Sequence, residues 1–199
     1  MSTAPTEGRW WLPKALPQGT CRTLTDRRIR HGRRLLYSAD MESAGVPTLF
    51  DWVGGSSTLE ALFERFYEHV RGDALLAPIF ANMDPRHHVH VAAFVAEVFG
   101  GPPAYSAEYG GHAAMIRKHL GRHLSEPARK RWMALLLDTA DELRVPTDPE
   151  FRSALVGYLE WGSRLAVINS QPGVAEPTHA PMPSWNWGAP GGPYIEKKE

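Results

Sequence analysis

From Thr48 to Ser170, apolar residues recur at spacings of three and four, the period that gives a helix one buried face. In "STLEALFERFYEHVRG", Leu59, Leu62, Phe63, Phe66, Tyr67 and Val70 form such a face behind a Ser/Thr start. "DALLAPIFANMD" predicts a short apolar helix or turn interrupted by Pro78. "DPRHHVHVAAFVAEVFGG" predicts a helix capped by Asp84, with Pro85 in its first turn and an end at Gly100–Gly101. His87, Val91, Phe94, Val95 and Val98 lie on its inner face. "HAAMIRKHLG" predicts a short helix ending at Gly121. "SEPARKRWMALLLDTADEL" follows, with Ser125 as cap and Trp132, Leu135, Leu136 and Thr139 as its stripe. The last helix, "DPEFRSALVGYLEWGSRLAVIN", presents Phe151, Leu155, Tyr158, Leu159, Leu165 and Ile168. Period-two alternation is absent, so the fold class expected is all-α. Glycine pairs at Gly54–Gly55, Gly100–Gly101 and Gly110–Gly111 adjoin these helices, and paired glycines permit close, steep helix crossings. The connection from Gly100 to about Gly111 is long for a simple bundle.

Outside this stretch the composition changes. Residues 1–47 hold eight Arg/Lys against four Asp/Glu, including "RRIRHGRRLL", although the whole chain is neutral. No aromatic or helical pattern organises these arginines, so they read as a solvated, disordered arm and not as a nucleic-acid surface. In a second interpretation, translation starts at Met41. Residues 171–199 are rich in Pro and Gly without periodicity, which predicts a flexible tail, and Trp185 and Trp187 are available to dock on the domain or on a partner. The expected organisation is an arm over 1–47, one domain over 48–170 and a tail over 171–199. One cysteine, Cys21, excludes an internal disulfide framework and suits a reducing compartment. No apolar run reaches the length of a membrane span. The default is a cytoplasmic protein with no nucleic-acid and no membrane partner.

Seven of nine histidines fall in the domain, and His119 and His123 stand four apart. That spacing suits two ligands of a zinc ion on one helix face, with His87 and His90 as further candidates and a hydrolase as the consequence. Against it, the domain has no cysteine, and Arg117, Lys118 and Arg122 surround the pair. An iron porphyrin asks for a different set: one imidazole on one face, an apolar slot, and a few polar groups on the other face. His119 supplies the first. Phe63, Phe66, Phe80, Val91, Phe94, Met115 and Leu124 supply the slot, and Tyr67 and Trp132 carry rigid donors on apolar faces.

In order along the chain come "FDWVGG", "FYEHV", Phe80, "FGGP" with Tyr105–Ser106, "GGHAAMIRKH", and Trp132 thirteen residues after His119. Over some 120 residues this series resembles the truncated, two-over-two haemoglobins, most closely their group II branch. The resemblance implies a globin-like fold of two helix pairs sandwiching haem b, with His119 as the iron ligand. It places Tyr67 and Trp132 as distal donors, Phe80 against the porphyrin, and His87 (or its neighbour His88) or Val91 over the distal side. Arg117, Lys118 and Arg122 would flank the propionates. Two departures stand out: "LGRHL" is more polar than the usual turn after the proximal histidine, and "RHHVHVAAF" is rich in histidine. A histidine over the iron would donate to a ligand or bind the iron itself.

The implied function is binding of dioxygen, nitric oxide and other diatomic ligands. Several distal donors slow ligand release, each by about 1–3 kcal/mol, which favours nitric oxide or peroxide redox chemistry over simple storage. No reductase domain is attached, so an external reductase is implied. A diatomic sensor or binding module without catalysis is the alternative.

Overall fold

The computed structural model describes residues 45–188. The expected arm therefore lies outside the described residues, apart from 45–47. Seven helices follow in order: α1 Leu49–Val53, α2 Gly55–Gly72, α3 His87–Val98, α4 Ala104–Tyr109, α5 Gly111–Arg117, α6 Glu126–Glu142 and α7 Pro149–Asn169. The described residues contain no strand. α2 packs on α3 and on α6, and α6 packs on α7, giving two helix pairs laid over one another.

Local chemistry explains most boundaries. Thr48 and Asp51 form a reciprocal capping box at α1, which supplies partners to amides that a helix start leaves free. Ser125 and Asp148 cap α6 and α7, each with Pro in the first turn. The apolar face of α2 is buried from Leu59 to Val70. Between α2 and α3 the chain runs in turns. Asp73 Oδ1 accepts from the amides of Leu75 and Leu76, each at 3.0 Å, and Leu76 is driven into the core.

Some boundaries differ from expectation. Asp84 accepts from the Arg86 amide at 2.6 Å, but it closes a turn and α3 begins only at His87. The stretch expected as a connection after Gly100 contains α4, whose Tyr105 is fully buried. Glu97 anchors it, accepting from the Ser106 amide at 2.8 Å and from the Ser106 hydroxyl. α5 stops at Arg117, so His119 stands in the following turn and not in a helix. Ile168 was expected inward but is 58% exposed, because α7 outruns the core at its C-terminal end.

Gly101 fixes how α1 crosses α3. A Cβ there would sit 2.7 Å from the Phe50 ring and 2.8 Å from the Ala96 carbonyl oxygen. Only a residue without a side chain allows this approach.

The tail composition hid a packed segment. Residues 171–188 have no helix or strand, yet Met182, Trp185 and Trp187 pack against the core. Trp185 donates its indole N–H to the Ala154 carbonyl at 3.0 Å, and Trp187 donates to the Pro47 carbonyl at 2.7 Å.

Candidate functional site

One cavity of about 470 Å³ lies between the helix pairs. That is within the range of small-molecule and cofactor sites. Its wall is largely apolar, and it brings together Phe63, Tyr67, Phe80, His87, Val91, Phe94, Met115, Lys118, His119, Leu124 and Trp132.

On one side stands His119. Its Nδ1 lies 2.9 Å from the Met115 carbonyl oxygen. A carbonyl only accepts, so Nδ1 carries the proton and Nε2 keeps its lone pair. Burial holds the imidazole below its ordinary pKa and outweighs the carbonyl's opposite pull, with Arg122 and Lys118 lowering it further. A neutral ring with one free nitrogen is the form that ligates a metal. The turn after it is tied to the end of α7: the amides of His123 and Leu124 donate to the Ser170 carbonyl and hydroxyl, both at 2.9 Å.

The same wall holds Tyr67, His87 and Trp132, from α2, α3 and α6. The Tyr67 hydroxyl lies 3.1 Å from His87 Nε2. Burial pushes the phenol well above its ordinary pKa, and the nearby Trp132 indole offsets this in part. The indole N–H can only donate, whereas the phenol both donates and accepts. Burial lowers His87 to about 4, aided by Lys118, His90 and His119, while Asp84 opposes the shift. His87 is therefore neutral at physiological pH. His87 lines this cavity, whereas His88 lines a separate pocket that also touches Phe80.

Two sequence candidates stand elsewhere. Phe66 is fully buried behind the wall, edge-on to Trp132 at 5.3 Å and to Tyr67 at 4.8 Å between ring centres. It precedes Tyr67 by one residue, and adjacent helical positions face different directions. Arg117 is exposed and pairs with Glu176 at 3.3 Å, a carboxylate from the tail. Lys118 and Arg122 remain at the wall. His123 is exposed, with a backbone φ of +51°, and does not line the cavity. Among the described residues, no three His, Cys, Asp or Glu side chains gather to hold a metal, so the two-histidine zinc arrangement has no support.

Sequence reasoning missed part of the wall: Ile79, His90, His112, Ile116, Leu159 and Ala166. Leu159 and Ala166 stand seven apart on α7, a helical-face signal that reads as ordinary core in a sequence.

The bacterial-like globin family matches residues 48–160, more than half of the chain. The chain belongs to that family. It is 31% identical over 117 residues to the group 2 truncated hemoglobin YjbI of Bacillus subtilis, covering 59% of this chain and 86% of that protein. It is 36% identical over 83 residues to the group 1 truncated hemoglobin GlbN of Nostoc commune, covering 41% of this chain and 66% of that protein. Among solved structures, the truncated oxygen-avid haemoglobin from Bacillus subtilis matches at TM-score 0.54 and 28% identity, over 61% of this chain and 99% of that one. A hemoglobin from Thermobifida fusca also matches at TM-score 0.54 and 28% identity, over 61% and 97%. As a truncated hemoglobin, the chain belongs to a family whose members bind haem and, at its iron, dioxygen and other diatomic ligands. Among the described residues of this hemoglobin, no helix is long and apolar enough to cross a membrane.

The residues present fit that group. The apolar wall matches a macrocycle, His119 offers one fixed neutral nitrogen, and Lys118 and Arg122 offer charge to acidic edges.

Proposed function

We propose that residues 48–170 form the haem-binding domain of a globin that holds dioxygen, nitric oxide or related diatomic ligands for nitric oxide or peroxide redox chemistry. The observation that carries this reading is the pairing of His119, held through Nδ1, with the Tyr67–His87–Trp132 cluster in the wall of one apolar cavity. When bound, haem b would supply a redox-active iron able to take a diatomic ligand. The chain's residues do the rest. His119 would hold the iron, its ring fixed by the Met115 carbonyl. Phe63, Phe80, Val91, Phe94, Met115 and Leu124 exclude water from the slot, and Lys118 and Arg122 meet the propionates. Tyr67, supported by Trp132, presents a proton to the ligand, and His87 shares that hydrogen bond.

A donor to a partly anionic ligand contributes about 1.5–3 kcal/mol, so release is slow. Slow release favours turnover of the held ligand over delivery. Electrons then come from an external reductase, and a cytoplasmic setting with the single Cys21 reduced suits this chemistry.

Three measurements test the proposal. Haem-supplemented protein gives a Soret band at one haem per chain; its absence would refute the haem reading. His119→Ala removes the histidine-ligated ferrous spectrum, whereas His123→Ala keeps it, and the reverse result would overturn the ligand assignment. Stopped-flow addition of nitric oxide to the dioxygen-loaded protein yields nitrate at a rate that competes with spontaneous loss of dioxygen. Failure to do so assigns the protein to carriage or sensing.

A further inference from the structure

The segment after α7 lies outside the residues matched by the globin family, yet it reaches the element that carries the iron ligand's anchor. α5 has seven residues, and none of them is buried. It is entered through Gly110 and Gly111, with φ of +83° and +65°, and it packs on the equally short α4. A helix of two turns without a buried face does not hold itself in place. Two contacts from the tail restrain it. His112 Nδ1, which must donate to a carbonyl, lies 2.8 Å from the Pro181 oxygen, and Arg117 pairs with Glu176. These grip the first and last turns of α5. Midway between them is Met115, whose carbonyl accepts from His119.

The tail is itself firmly seated. The Trp185 amide donates to the Val98 carbonyl at 2.9 Å and its indole to Ala154 on α7. Its ring meets Tyr158 edge-on and lies tilted against Trp161, at 6.0 and 5.8 Å between centres. Further on, Trp187 meets Trp52 edge-to-face at 5.4 Å. The line of contacts runs from α7, α1 and the end of α3 to α5.

We propose that residues 171–188 are a strap that positions α5, with His112, Glu176 and the Pro181 carbonyl as its positioning groups, and that the strap thereby sets the orientation of His119. The ligand role of His119 belongs to the function proposed above, so the decisive readout is taken without haem. In full-length apo protein, amide hydrogen exchange across 112–119 rises roughly fivefold in His112→Ala, the scale of one lost hydrogen bond, and by less in Glu176→Gln, which removes only the charge of an exposed pair. His112→Asn, which keeps a donor near the Nδ1 position, returns exchange toward wild type. Exchange in α2 and α6 stays as in wild type, which distinguishes positioning from general loosening. Trp185→Ala removes an anchor that is not itself part of the cavity wall and raises exchange in the same 112–119 window. In the haem-loaded protein the same variants shift or broaden the iron–histidine stretching band and speed haem loss. Wild-type exchange across 112–119 in both His112→Ala and Glu176→Gln would overturn the strap even if haem binds normally. Failure of the wild type to take haem would overturn the proposed function instead, with the apo exchange still deciding the strap. If Trp185→Ala fails to fold, His112→Ala against His112→Asn decides alone.

Discussion

Replacing Tyr67 by Phe tests the distal half of the site directly. The change deletes one oxygen and keeps the ring that packs on Phe66 and on Phe80, the latter 5.5 Å away between centres. That oxygen lies 3.1 Å from His87 Nε2, and the Trp132 indole stands close enough to moderate the phenol's raised pKa. Its loss removes the donor to a bound ligand and leaves His87 without its partner. A hydrogen bond to a charged group is worth about 1.5–3 kcal/mol, so dioxygen dissociation should accelerate roughly 10- to 150-fold. Trp132→Phe should also accelerate it, because it removes the second distal donor. The two effects should not add. Both groups belong to one buried cluster around the same cavity, for which coupling energies of about 0.5–3 kcal/mol are expected. The assay is stopped-flow replacement of dioxygen by carbon monoxide in the wild type, both single variants and the double variant. A change under about twofold in Tyr67→Phe, or strict additivity in the cycle, would refute the reasoning. It would mean that the phenolic proton is committed to His87 and never reaches a ligand.

Two further outcomes follow from the geometry. The His87 pKa is about 4 in the folded protein, below its ordinary value of about 6.5, so the unfolded chain takes up the proton first as pH falls. Apo-protein stability is therefore complete above about 6.5 and falls by up to roughly 3 kcal/mol as pH drops toward 4. His87→Gln should flatten that fall in urea titrations at pH 7 and 4.5, and an equal slope in wild type and variant would remove His87 as the cause; the lowered His90 and His119 act in the same direction and leave a residual slope. Gly101→Ala places a methyl against the Phe50 ring and the Ala96 carbonyl and should cost about 1–3 kcal/mol in thermal or urea unfolding, whereas Gly45→Ala, which meets nothing within 4 Å, should be neutral.

What was legible in the sequence was what periodicity and order carry. The faces of α2, α6 and α7 could be read because burial on one side enforces a spacing of three and four. The place of His119 in the cavity wall could be read from its distance to Trp132 and to the glycine pair before it. The misplacements have physical causes. α4 lay hidden because Pro, Gly, Ser and Tyr suggest a loop, whereas its helix rests on Glu97, which closes it from nine residues upstream. Phe66 joined the slot residues on apolarity alone, although one residue's step around a helix turns it away from the cavity wall. The Met115 carbonyl that orients His119 is a backbone atom and leaves no mark in residue type. Nor does composition show that two tryptophans in a Pro- and Gly-rich segment find backbone acceptors at Ala154 and Pro47.

The pairing of Arg117 with Glu176 changes how charge is divided around the site. Three cations flank His119 in the sequence, and all three were candidates for the acidic edge of the porphyrin. The tail takes one of them, leaving Lys118 and Arg122 at the wall. Arg122 is partly committed as well, since its Nε donates to the Lys118 carbonyl at 2.9 Å. Lys118 lies close enough to His87, His90 and His119 to lower all three pKa values. A propionate drawn to Lys118 would screen that charge and weaken one of the forces that keep His87 neutral. Haem binding and the protonation of His87 are then linked. The loaded protein should protonate His87 more readily than Lys118 alone would allow, and Lys118→Met should reduce that linkage while leaving the hydrogen bond between Met115 and His119 untouched.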